Sequence, residues 1–195
     1  MTDPMQYLSN ADLARFIESF SKYLMCWKVN RQFGSQLSFD MGPMFEQQIK
    51  PGVSVPGGSS TLVLEGYDWK IFDGKRNLIA DSETVSDEIV REKLDPIFLK
   101  STLGSVRFNQ ENRELFVEFS NHLLISSSAL TSGEYIDDNL CLWVLPDGRV
   151  LSCDAHRGFY WDGSVSQEHR NITRKRRPSL GKRVGQKARL SRINY

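Results

Sequence analysis

The chain has 195 residues, 39% of them hydrophobic and 11% aromatic, enough for one sizeable core but short for several domains. Its formal charge of +1 conceals a division. Residues 1–164 carry 15 Lys+Arg against 23 Asp+Glu, a net of −8, and residues 165–195 carry 10 basic residues against one acid, a net of +9.

Residues 9–25 read as an amphipathic helix. Ser9 and Asp12 have capping-box spacing, and Leu13, Phe16, Ile17, Phe20 and Leu24 recur on one face. Residues 26–42 read as a hairpin, with Cys26–Val29 and the alternating Leu37–Met41 as its arms. The Gly- and Pro-rich stretch 50–59 predicts a loop. Thr61–Glu65, Tyr67–Phe72 and Asn77–Ala80 predict a strand meander that turns at Asp73-Gly74-Lys75. Ser82 is placed to cap a helix over 83–100, and Pro96 predicts a split or kink inside it. Three short strands are expected over 103–127, and an acidic loop over 131–139. A hairpin follows, Leu140–Leu145 and Arg149–Cys153 about Pro146-Asp147-Gly148. Phe159, Tyr160 and Trp161 close the domain.

Strands follow one another rather than alternating with helices, which argues against a parallel doubly wound sheet. The expected class is α+β. It is mainly an antiparallel β meander or roll, with one or two packed helices and a basic C-terminal extension. The implied organisation is an N-terminal helix (1–25), a β-rich domain (26–164) and a basic tail (165–195).

In the tail, Arg170, Arg174, Lys175, Arg176, Arg177, Lys182, Arg183, Lys187, Arg189 and Arg192 fall within 23 residues, and Pro178, Gly181 and Gly185 interrupt any helix. Little apolar surface is available to offset the entropy of ordering, so an arm that is disordered when free is predicted. Three roles are open: a nucleic-acid arm that neutralises phosphates, an arm that lies on an acidic protein surface, or a solubilising tail.

Chemistry is harder to find. Cys26, Cys141 and Cys153 form no CxxC pair and are expected as buried free thiols. His122, His156 and His169 stand far apart, and no metal or cofactor is expected. Gly57-Gly58-Ser59-Ser60 precedes a strand, not the helix a phosphate loop needs. Trp27, Trp69, Trp143 and Trp161 fit core positions. The best catalytic candidate is the pair Asp154 and His156, which share one side of a strand while Cys153 points to the other. No membrane-length apolar run and no basic-then-apolar leader is visible, so a soluble, cytoplasmic chain is expected.

The segments Leu37–Gly42, Leu62–Ile71, Leu115–Ile125 and Trp143–Gly148, in this order, resemble small uncharacterised bacterial proteins suspected of immunity or defence-associated roles. The likeness spans roughly residues 25–155 and carries no catalytic residue; the N-terminal helix and the tail fall outside it. It implies a non-enzymatic accessory subunit of a conflict-type assembly. The acidic body would bind a protein partner through Asp73, Asp81, Glu83, Asp87, Glu134, Asp137 and Asp138, a set able to mimic phosphate, and the tail would contact nucleic acid. The competing expectation is a small hydrolase or nuclease using Asp154 and His156.

Overall fold

Alternation of buried and exposed residues along the strands sets the architecture of the computed structural model. It describes residues 7–20, 23–32, 34–50, 52–65, 68–128 and 139–164. The fold is α+β and mainly antiparallel β. A helix α1 (Asn10–Phe20) leads into β1 (Cys26–Arg31), β2 (Leu37–Lys50) and β3 (Val53–Leu64). Then come β4 (Asp68–Phe72), β5 (Leu78–Asp81), a helical segment, β6 (Leu103–Asn109), β7 (Glu114–Phe119) and β8 (Leu124–Ser128). The described residues end with β9 (Asn139–Val144), β10 (Arg149–Asp154) and β11 (Gly158–Ser164).

The strands divide into a six-stranded sheet, β1-β2-β3-β9-β10-β11, and a five-stranded sheet, β5-β4-β8-β7-β6. The chain leaves the first sheet after β3, builds the whole second sheet, and returns as β9 beside β3, with Leu62 opposite Trp143. Phe39, Leu62, Leu64, Trp143 and Leu151 of the first sheet share one core with Trp69, Ile71, Leu115, Val117 and Ile125 of the second. Each such side chain contributes roughly 1.5–3 kcal/mol by leaving water. The helical segment joins the two sheets through Phe98. Its ring meets Phe39 of β2 at 5.0 Å and Phe119 of β7 at 4.9 Å between centroids, both edge-on.

Helix α1 begins as its sequence predicts. The Ser9 hydroxyl accepts from the Asp12 amide at 3.1 Å and donates to the Asp12 carboxylate at 2.6 Å. Leu13 and Ile17 enter the common core, so this helix belongs to the body's packing. The helix is shorter than 9–25. Leu24 is buried on the approach to β1, and Met25 already bridges to Thr102. Just before the helix, the chain stitches two sheet edges. The Leu8 amide donates to the Phe159 carbonyl of β11, and the Asn10 side chain both accepts from and donates to the Phe108 backbone of β6. A side-chain amide thereby occupies an edge that is otherwise open to strand pairing.

Two local expectations are corrected. Residues 53–59 are not loop but part of β3, which pairs with β2 out to Lys50 opposite Val53. Past Thr61, β3 has lost its partner β9, and a strand with one neighbour tolerates Pro56. The helix expected over 83–100 starts later, at α2 (Asp87–Ile89), with Ser86 rather than Ser82 accepting from the Ile89 amide at 3.2 Å. It widens into a π-helical turn (Val90–Leu94), in which the Asp95 amide reaches back to Val90, before α3 (Asp95–Phe98). Pro96 has no N–H to continue the α ladder, and the register changes immediately before it.

The tail residues Arg170 to Arg192, and Glu134, Asp137 and Asp138 of the acidic loop, lie outside the described residues. Among the described residues no helix is long and apolar enough to cross a membrane.

Candidate functional site

Two of the four described acidic candidates, Asp73 and Asp81, are first of all turn-builders. The Asp73 carboxylate accepts from the Lys75 and Asn77 amides and from the Asn77 side chain, each at 2.8 Å. The Asn77 bonds hold its pKa below the ordinary carboxylate range. Asp81 does the same at the other end of β5, accepting from the Thr84 hydroxyl and amide and from the Glu83 amide, with its pKa lowered chiefly by Thr84. Asp87 opens α2, is exposed, and pairs with Arg31 at 3.2 Å. Glu83 is exposed in the turn after Asp81. Asp81, Glu83 and Asp87 therefore gather where β5 leads into α2. Asp73 precedes the other end of β5, whose four residues span about 10 Å.

Asp154 and His156 lie at the junction of β10 and β11. Asp154 directs Oδ1 at the main-chain amides of His156 (2.7 Å) and Arg157 (3.0 Å), closing the turn between β10 and β11. This is an Asx turn, in which one carboxylate oxygen accepts from two successive main-chain amides. Cys153 lies across the ladder from Cys141, both fully buried. Burial, and then the neighbouring Cys141 thiol, push the Cys153 thiol well up. Burial pushes Cys26 up to about 12. The thiolate is the reactive form, so these are inert sulfurs. In native protein at pH 8, Ellman's reagent is expected to titrate essentially none of the three cysteines, and all three once guanidinium unfolds the chain. Rapid reaction of one native thiol would contradict the buried placement. Among the described residues no group of three or more His, Cys, Asp or Glu converges to hold a metal.

Two concave surfaces lie elsewhere, on and beside the face of the five-stranded sheet turned away from the core. Inward residues Trp69, Ile71, Leu115, Val117 and Ile125 alternate with outward ones, and the register lines the outward ones up in rows. One row runs Lys70, Ser126, Phe116, Arg107 across β4, β8, β7 and β6. The next runs Phe72, Leu124, Glu118, Ser105, and the third Asp68, Ser128, Glu114, Asn109. A hollow of about 560 Å³ lies over Phe72, Phe116 and Leu124, with Lys70, Arg76 and Arg107 around it. A second, of about 610 Å³, continues past Arg107 and Phe116 to the seam between β6 and β11, where Arg157 stands.

The charges in this groove are arranged rather than scattered. Arg107 lies over the Phe116 ring, 5.3 Å from its centroid. Asp68 accepts from Ser128 at 3.0 Å and faces Lys70 at 3.8 Å, while Glu114 accepts from Ser126. Arg157 donates to the Tyr7 hydroxyl at 3.1 Å. None of Lys70, Phe72, Arg76, Arg107 and Phe116 is among the candidates that motif and charge-run reasoning selects. A sequence signal exists all the same: within Glu114–Phe119, Leu115, Val117 and Phe119 take the buried positions, which leaves an aromatic, Phe116, facing out.

Comparison of the chain with protein-family models, with curated proteins and with solved structures gave no match.

Proposed function

We propose that this chain is a non-enzymatic accessory subunit that works by binding: an acidic folded body docks on a protein partner, and a cationic arm engages nucleic acid. The observation that carries the reading is the division of charge, −8 over residues 1–164 and +9 over the last 31. A segment with 10 basic residues and one acid attracts a polyanion and releases its counterions on contact. Arg dominates Arg174–Arg177, and its planar fork suits phosphate oxygens. Glu83 and Asp87 are exposed and stand within six residues of Asp81, and these acids offer a protein partner a phosphate-like surface. The sequence resemblance to immunity and defence-associated proteins supports a setting in a bacterial conflict-type assembly. The three buried free thiols support a reducing, cytoplasmic setting. For the competing hydrolase or nuclease, the commitment of the Asp154 carboxylate to two turn amides speaks for a structural role.

The test uses the full chain with Arg174, Lys175, Arg176 and Arg177 all changed to Gln, and fluorescence anisotropy of labelled RNA and DNA oligonucleotides from 50 to 300 mM salt. Four lost phosphate contacts are expected to flatten the plot of log affinity against log salt by about three units of slope. An unchanged slope, or no binding by the unmodified chain at 50 mM salt, overturns the arm.

A further inference from the structure

We infer that the outward face of the five-stranded sheet is a binding groove for single-stranded nucleic acid. The inference rests on the nucleic-acid reading above and gives it a site on the folded body, separate from the arm. The floor and the rim of the groove have different chemistry. The floor presents Phe72 and Phe116 on β4 and β7, two strand spacings across and two residues along the sheet, about 12 Å apart, with Leu124 and Ser126 of β8 between them. An aromatic face accepts any unstacked base, and the guanidinium that Arg107 lays on Phe116 extends that platform. The rim presents cations: Arg107 on the edge strand β6, Arg76 in the β4–β5 turn, and Arg157 at the seam beyond. On a body of net charge −8, four of its 15 basic residues line these two adjoining hollows.

The carboxylates present fit the same occupant. Asp68 and Glu114 lie in the third row, each bonded to a serine of β8, Glu118 lies in the second and Glu111 lines the hollow at the seam, and a carboxylate in a groove accepts from exocyclic base amines. Stacking on the floor requires bases that are not already paired. A duplex buries its base faces and offers the groove only phosphate. The groove therefore selects single strands, and the arm adds affinity without that selectivity.

The experiment is anisotropy on the full chain with a 12-nucleotide mixed-sequence single strand and the corresponding duplex. The unmodified protein is compared with Phe116→Leu, Arg107→Glu and the four-Gln arm variant, each checked for an unchanged circular dichroism spectrum. Phe116→Leu keeps the floor apolar and removes the stacking face. It is expected to weaken single-strand binding about tenfold while leaving the salt slope in place. Arg107→Glu is expected to weaken it at least as much, and the arm variant is expected to keep the preference for single strand over duplex.

If both groove variants bind like the unmodified chain while the arm variant loses affinity, the groove is overturned and the arm stands. The reverse pattern overturns the arm and keeps the groove. A preference for duplex, or no binding at 50 mM salt, overturns the groove. Loss of binding to an extended zwitterionic peptide but not to the oligonucleotide in the groove variants reassigns the face to a protein partner and also overturns it.

Discussion

Replacing Phe98 by alanine is expected to lower the unfolding free energy by about 3–5 kcal/mol. Phe98 is fully buried at the end of α3 and is the ring that touches both sheets at once. Phe39 and Phe119 also meet, at 5.9 Å, so the three rings form a closed trio and no single neighbour can move in without leaving another. The loss combines the transfer free energy of the ring with a cavity that two sheets, each held by its own ladder, cannot close. Against a total stability on the order of 5–15 kcal/mol, the change is large. In urea it appears as a fall in midpoint of roughly 2 M at unchanged slope. Phe98→Leu retains most of the volume and is expected to cost less than half as much. Equal losses for the two variants would mean that the trio does not join the sheets in this way.

Gly58→Val is expected to cost about 3 kcal/mol, and for a different reason. A Cβ at Gly58 falls 2.6 Å from the Met41 carbonyl oxygen and 2.7 Å from the Met41 nitrogen. Both atoms are main chain of the partner strand, so no rotamer change relieves the clash. Gly58 stands where the β2–β3 ladder changes register, between Met41 opposite Ser60 and Met44 opposite Gly58, and the two backbones come closest there. The control is Gly34→Ala, at a position with positive φ but no atom within 4 Å of the added carbon, where only backbone strain of about 1 kcal/mol is expected. Equilibrium unfolding of the two variants separates contact from conformation. A Gly58 variant no worse than the Gly34 one would show that the ribbon accommodates a side chain at its bend.

The fold class was open to reading because its signals are local. Alternation at Leu115, Val117 and Phe119, the turn Pro146-Asp147-Gly148, and the Ser9–Asp12 cap each need only a few neighbouring residues. The misreadings share a cause. Residues 53–59 have the composition of a loop, and what makes them strand is a partner, β2, that also continues far past the sheet. Ser82 and Ser86 are equally good caps in isolation, and the choice falls to Ser86 because the Asp81 side chain first closes a turn with Glu83 and Thr84. The groove was harder still. Lys70, Arg107 and Phe116 are unremarkable apart, and they share one row only because β8 lies between β4 and β7. That order depends on pairings remote in sequence. Asp73 and Asp81 stand out in the sequence for their charge and Asp154 for its spacing to His156, and each carboxylate is engaged by amides within four residues of it.

The return of β9 to the side of β3 has a kinetic consequence. The Trp143 indole donates to the Ser60 hydroxyl across 83 positions of sequence, and four rungs of ladder accompany that bond. While the chain is being made, the flank of β3 that awaits β9 stays vacant until the intervening sheet has emerged. Closure over such a span is entropically costly before any contact repays it, which makes this seam a late and slow event in folding. Until it zips, the nascent chain displays an unsatisfied strand edge to its neighbours, and crowded synthesis is when this protein is most exposed to misassembly.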